Sequence, residues 1–224
     1  MNFTKIPAGQ IFRLSDYIVA KLGLVISKNV CDTAGLNMTL YSFGGGEGIT
    51  WQTIPGDLLL TVLEGEAFLE TDVNGSETAG EGMAIFVKGG ERFQISGNKP
   101  YKLNFSVVNK NGEKDMFIKN FEQSKVVTLK EQISVEEGTI VSKTLVNCED
   151  LTMTLFAFDK GQGVSTHAAP GDAMIVCLEG KADVVLNGEN LQIKAGESLI
   201  MPAQAPHSVK AAEPYKMLLT VVKA

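Results

Sequence analysis

The sequence predicts an all-β protein built from two similar antiparallel β-domains in tandem. Three observations carry that reading: an internal duplication, short apolar runs cut at regular intervals by turn residues, and no pattern resembling a βαβ unit. The duplication is the firmest of them. Residues Gly23 to Gly65 align without a gap on Gly138 to Gly180 at a constant offset of 115, with 16 of 43 positions identical. "SK", "MTL", "PGD" and "LEG" recur in step. "AGEGMAIF" then matches "AGESLIMP", and "PYKLNFSVV" matches "PYKMLLTVV". A period this long exceeds any solenoid repeat, so each copy is a domain rather than a repeat unit.

The elements follow in order. "MTLFAF" and "AMIVCLEG" are short apolar runs bounded by Gly, Pro and Asp, which read as strands. "ADVVLNGENLQI" alternates around Asn187-Gly188, a tight-hairpin signal. The 23 glycines punctuate the chain as turns at short intervals, as in an antiparallel sandwich or barrel. "NKNGEKDMFIKNFEQSK" is polar and holds the Asn111-Gly112 turn signal. It separates domain 1–112 from domain 113–224 and is expected to form a short helix or an extended linker.

Composition narrows the function classes. The chain has 224 residues, 44% of them hydrophobic, enough for one large domain or two small ones with real cores. With a net charge of −6 and no dense Lys/Arg cluster, nucleic acid is not an expected partner. No run approaches a membrane span, and the N-terminus lacks a signal-peptide pattern, so a soluble cytoplasmic protein is expected. Cys31, Cys148 and Cys177 are far apart and form no CxxC, which fits free thiols in a reducing compartment.

The second copy carries "GQGVSTHAAPGDAMIVCLEG" followed by "GESLIMPAQAPHSVKA". These resemble the two motifs of the cupin superfamily, G-x5-H-x-H-x3-4-E-x6-G and G-x5-P-x-G-x2-H-x3-N. Gly161, His167 and Gly180 fall on the first motif; Gly196, Pro202 and His207 fall on the second. The resemblance spans nearly the whole chain and implies two tandem cupin barrels, each a double-stranded β-helix or jelly roll, together a bicupin. The departures are specific. Ala169 stands at the second histidine, Ala173 or Met174 at the glutamate, and Gln204 at the second-motif glycine. In the first copy Gln52 aligns with His167, Ile54 with Ala169, Leu58 with Ala173, Glu91 with His207 and Phe86 with Pro202.

On that resemblance the first barrel reads as a filled scaffold with no metal. Ile54 and Leu58 close its interior, and Gln52 and Glu91 satisfy each other or a neighbouring cation. The second barrel is the candidate pocket. Strand alternation puts residues 165, 167 and 169 on one face, and Ala169 and Ala173 leave room beside His167 and His207, the chain's only histidines. Imidazoles suit divalent Zn, Fe, Ni, Cu or Mn. Met174, Met201 or Cys177 would have to turn inward to enlarge the donor set, and a soft His/Met site for copper(I) stays open. Without metal, one histidine serves as general base and the other as hydrogen-bond donor. Asp57 and Asp172 recur in both copies and read as turn residues. Glu64 and Glu179 recur likewise and read as structural. "GGGEG" lacks the Lys-Ser/Thr and the helix of a phosphate cradle.

The expected function is small-molecule binding in the second barrel around His167 and His207. The alternative is a cupin enzyme, either metal-dependent and dioxygenase-like or metal-free and isomerase-like. The sequence leaves the ligand, any catalytic residue and a homodimer open.

Overall fold

The computed structural model describes residues 1–109 and 118–223. The Asn111-Gly112 turn and the expected boundary at 112/113 lie outside the described residues. Strands β1 (Ile11–Phe12), β2 (Val25–Asp32), β3 (Leu36–Phe43), β4 (Ile49–Gln52), β5 (Asp57–Glu64), β6 (Glu66–Thr71), β7 (Gly75–Gly80), β8 (Met83–Val87), β9 (Phe93–Ser96) and β10 (Tyr101–Val108) precede the undescribed segment. After it come β11 (Val126–Thr128), β12 (Ile140–Asn147), β13 (Leu151–Phe158), β14 (Gly163–His167), β15 (Gly171–Glu179), β16 (Lys181–Leu186), β17 (Glu189–Lys194), β18 (Ser198–Met201), β19 (His207–Ala211) and β20 (Tyr215–Lys223). The helical content of these residues is two 3-10 turns, Leu14–Tyr17 and Leu129–Gln132. The fold is all-β, as expected.

The chain divides into two compact units. One is 14–129; the other joins 1–13 to 130–224. Each contains a six-stranded and a four-stranded antiparallel sheet. In the first unit the orders are β11-β8-β5-β10-β3-β2 and β4-β9-β6-β7. In the second they are β1-β18-β15-β20-β13-β12 and β14-β19-β16-β17. One apolar core joins the two sheets of each unit. In the first it includes Leu58, Leu60, Leu103 and Phe105 from the large sheet and Ala67, Leu69, Phe93 and Ile95 from the small one. The second core combines Ala173, Ile175, Leu199 and Met201 with Ala182, Val184, Leu186 and Val209. That is a jelly-roll arrangement, with alternate residues of each strand turned inward.

The repeats exchange their leading strands. β1 opens the first sequence repeat yet pairs with β18 of the second unit, Ile11 opposite Leu199. β11 opens the second repeat yet pairs with β8 of the first unit, Val126 opposite Ile85. Each unit is therefore completed at one edge by the other repeat's first strand. The 3-10 turn Leu14–Tyr17 falls in the unit it precedes, and Leu129–Gln132 spans the boundary at 129/130.

The hairpins set the relative register of the copies. β16 and β17 are joined by the two residues Asn187 and Gly188, with φ of 51° and 86°, a type I′ turn. β6 and β7 need three residues, 72–74. Beyond the hairpin the structural offset therefore falls from 115 to 114. Leu58 faces Val87 where Ala173 faces Met201. The glycine of "LEG" has a steric reason. Gly65 and Gly180 adopt φ of 79° and 76°, and a Cβ would meet Pro100 O at 2.6 Å and Pro214 O at 1.9 Å.

The recurrent carboxylates staple each unit. Asp57 is fully buried and accepts hydrogen bonds from the Gly89 and Ile118 amides at 3.0 and 3.3 Å. Asp172, 4% exposed, accepts from the Ala203 amide at 2.9 Å and from the Asn2 amide. They do more than shape a turn, since each ties a strand start to a distant loop. Glu64 pairs with Lys102 at 2.7 Å, and Glu179 with Lys216 at 3.8 Å. The same lysines donate to Ser15 O and Lys130 O at 3.0 Å, satisfying carbonyls of the 3-10 turns.

Candidate functional site

His167 ends β14 and His207 begins β19, and the two are cross-strand partners. Their ring centres lie 4.4 Å apart at an interplanar angle of 58°. Residues separated by forty positions thus meet on neighbouring strands. A β-bulge between Val164 and His167 interrupts the ladder. Bulges re-aim the side chain that follows them, so the simple alternation expected for 165, 167 and 169 does not run unbroken here. His207 is 3% exposed and belongs to the inner lining, while His167 is exposed at the rim.

The backbone sets both tautomers. His167 Nδ1 lies 2.9 Å from Ser165 O, and His207 Nδ1 lies 2.9 Å from Ala205 O. A carbonyl oxygen only accepts, so each Nδ1 carries the proton and donates, and each neutral ring keeps a lone pair on Nε2. Among the described residues, neither ring has another hydrogen-bond partner. Burial holds the His207 pKa below its ordinary 6.5, and the neighbouring His167 lowers it further against the Ala205 hydrogen bond. His207 is therefore neutral at neutral pH.

The predicted lining residues divide. Ala173 and Met201 are buried in the second core and face each other across β15 and β18, and Ala169 packs against the same cluster. The space left by Ala173 is thus shared with a long thioether. Met174 is a correction. It is buried but lies on the opposite face of β15 from Ala173, Ile175 and Cys177, outside that core, so its thioether does not turn inward beside them. Cys177 is inward but inert. Its thiol points to Glu179 O at 3.6 Å, and burial, with nearby acids, pushes its pKa up to about 12. Gln204 takes φ of 63° where the first copy has Gly90 at 88°, so the backbone keeps the glycine conformation after the glycine has gone. Sequence reading missed Leu186, which pairs with His207 on the side away from His167. Its signal was the apolar alternation Ala182, Val184, Leu186.

The first unit brings a second correction. Gln52 pairs with Phe93, not with Glu91. Phe93 is the counterpart of His207, and by the same register Lys88, not Phe86, is the counterpart of Pro202. Glu91 sits two residues earlier, in a loop, where it accepts from Ser124 Oγ, from Gln123 Nε2 at 2.8 Å and from the Lys88 amide at 3.3 Å. It does not satisfy Gln52, which is exposed. Leu58 is fully buried, Ile54 packs on the core, and Phe93 lies 6.3 Å from the Phe105 ring. The gap bounded by Leu60, Leu69, Ile85, Val87, Phe93 and Ile95 has no room for a water-sized sphere.

The donor set of the second unit does not make a metal centre. Among the described residues no three His, Cys, Asp or Glu side chains gather to hold an ion. Two imidazole nitrogens fall short of the three or four protein ligands that transition-metal sites use. The pair remains suited to accepting protons or hydrogen bonds.

The family profile described as "Cupin domain" matches residues 154–222, which span β14 to β19 and both histidines. A solved "Cupin 2 conserved barrel domain protein" from Leptotrichia buccalis is 27% identical, covers 98% of this chain and 99% of its own, and superposes with a TM-score of 0.84. A salicylate 1,2-dioxygenase from Pseudoaminobacter salicylatoxidans, solved as adducts with gentisate, is 11% identical over 95% of this chain and 80% of its own, with a TM-score of 0.64. That second likeness is one of fold alone. No curated protein matches the chain. Among the described residues, no helix is long and apolar enough to cross a membrane.

Proposed function

We propose that this chain, whose residues 154–222 match the cupin domain profile, is a small-molecule-binding bicupin whose pocket lies in the second unit around His167 and His207. One observation carries the reading. The two imidazoles are cross-strand neighbours with ring centres 4.4 Å apart, and both present an unpartnered Nε2. A fold needs no such pair, and the first copy does without it by placing Phe93 and Gln52 at the same register. The buried ring supplies the floor, and the exposed one supplies the entrance. Ala169, Ala173 and Met201 belong to or pack on the apolar core of the same unit, which suits a site that holds a ligand body by contact and orients it by a few polar groups.

A second reading is favoured by the fixed tautomers. A neutral histidine with a bare Nε2 is a competent general base, so a metal-free, isomerase-like proton transfer fits the pair. A dioxygenase-like reading needs an iron-type centre that two nitrogens do not complete. The cytoplasm is the proposed location, and the proposed partner is a small molecule.

The test combines His167→Ala with His207→Ala. Binding of small-molecule probes is followed by nitrogen-15 NMR of the imidazoles, alongside metal analysis of the purified protein. Probe binding that is lost in the double variant, with the fold retained, supports the site. Tightly retained zinc, iron, nickel, copper or manganese, lost with the histidines, would show that the donor set is completed in solution. No histidine-dependent binding of any probe would overturn the proposal.

A further inference from the structure

We propose that the histidine pair recognises an uncharged ligand through two hydrogen-bond donors on adjacent atoms, namely a vicinal diol carried on an apolar body. This rests on the reading of the pair as a ligand site and adds the class of ligand.

The argument starts from proton placement. Ser165 O and Ala205 O each consume an Nδ1 proton at 2.9 Å. With both rings neutral, the pair therefore offers two acceptors and no donor. Neither Nε2 finds a donor among the described residues. One of these acceptors belongs to a side chain that is 97% buried, His207 being 3% exposed. His207 Nε2 is not among the buried side-chain atoms left without a partner, which are Glu47 Oε2, Asn104 Oδ1 and Thr220 Oγ1 among the described residues, so this acceptor stays open to a donor from outside the protein.

Geometry sets the number of donors. The rings are tilted neighbours with centres 4.4 Å apart. Two donors on adjacent carbons can address both, whereas a single hydroxyl donates one proton and satisfies one ring. The surroundings set the charge. No carboxylate joins the pair, since among the described residues no third His, Cys, Asp or Glu gathers with them. An ammonium group would find no counter-charge there. An anion would bring its lone pairs against those of Nε2, because burial keeps His207 neutral. The core of the same unit is apolar, with Ala169, Ala173, Met201 and Leu186 belonging to or packing on one cluster. Ethers and carboxylates of the same shape meet the imidazoles acceptor to acceptor.

The probes are cis-1,2-cyclohexanediol and its dimethyl ether, which share a ring and differ in their donors. Both are titrated into EDTA-treated full-length protein while the imidazole nitrogen-15 resonances are recorded. The diol is expected to shift both Nε2 resonances saturably, and the diether at least tenfold more weakly. His167→Phe keeps a planar ring at an exposed position and removes one acceptor. It is expected to weaken the diol about tenfold with an unchanged melting temperature, which keeps the test informative if His207→Phe does not fold. Equal binding of diol and diether would overturn the ligand class and leave the site standing. Histidine shifts produced by acetate or zinc but not by the diol would do the same. Silence of both histidines towards every probe would remove the site reading as well.

Discussion

His207 is caught between two demands. Its ring must be buried to line the core, yet its charged form prefers water. Burial wins, and the folded-state pKa falls below the 6.5 of an unperturbed histidine. The linkage follows from proton counting. Between the folded value and 6.5 the unfolded chain binds a proton that the folded chain does not. The contribution of His207 to stability is therefore intact above about 6.5, is lost as pH falls from there to the folded value, and is constant below it. Melting temperatures measured from pH 8 to pH 4.5 should decline over that window, and the decline should be shallower in His207→Phe. Equal slopes would mean that the ring is hydrated in solution. Asp172 makes the opposite kind of residue-scale prediction. Its buried carboxylate satisfies the Ala203 and Asn2 amides, so Asp172→Ala should cost at least about 2 kcal/mol in urea denaturation, since hydrogen bonds to charged groups are each worth ~1.5–3 kcal/mol. At this scale the sequence was legible where a residue type was rare. The two histidines stand out by rarity, and the structure makes them cross-strand neighbours. It was not legible where the register slipped. "AGEG" against "AGES" pulled the copies two residues out of structural step and put Glu91 in the place of Phe93. A slip of two preserves strand alternation, so the apolar pattern could not reveal it.

Strands and hairpins were read more easily than their ends. "ADVVLNGENLQI" announced β16 and β17 because Asn-Gly is one of the few pairs that tolerates two successive positive φ angles. β1 could not be read. A two-residue strand has no periodicity, and Ile11–Phe12 becomes a strand only because the edge of β18 is available to it. The two glycines at opposite ends of β16 separate conformational from steric cost. Gly188 has φ of 86° with nothing near a built Cβ, whereas Gly180 has φ of 76° and a Cβ would stand 1.9 Å from Pro214 O. Gly188→Ala should cost only the left-handed penalty, about 1–2 kcal/mol. Gly180→Ala must also move the backbone where β15 meets β20, and should cost clearly more or prevent folding. Urea titrations of the two variants compare them directly, and equal losses would show that the β15–β16 corner is softer than the close approach to Pro214 implies.

At the scale of the whole chain, duplication does not mean that each repeat folds as its own unit. The sequence marks the repeats by similarity, and similarity places β1 with the first repeat and β11 with the second. Pairing assigns them the other way, because each closes the edge of the other repeat's large sheet. The segment before β1 is bound in the same sense. The Asn2 amide reaches Asp172, its side chain donates to Val222 O at 3.1 Å, and the Gly9 amide donates to Ile200 O at 2.9 Å. Cutting the chain at the repeat boundary should therefore fail where cutting at the contact boundary succeeds. Fragment 14–129 holds every strand of its two sheets. Fragment 1–112 lacks β11, exposes the edge of β8, and carries an unpaired N-terminal segment. An uncovered edge strand invites association. We expect 14–129 to be monomeric and to melt cooperatively, and 1–112 to melt several degrees lower or to aggregate. Fragment 113–224, which lacks β1 and the Asn2 clamp, should be rescued in part by a synthetic peptide of residues 1–13, read as a rise in melting temperature with peptide concentration, as binding to the folded form requires. A melting temperature of 1–112 equal to that of 14–129, with no peptide response from 113–224, would show that the exchanged strands are ornaments of the edges rather than parts of the folds they complete.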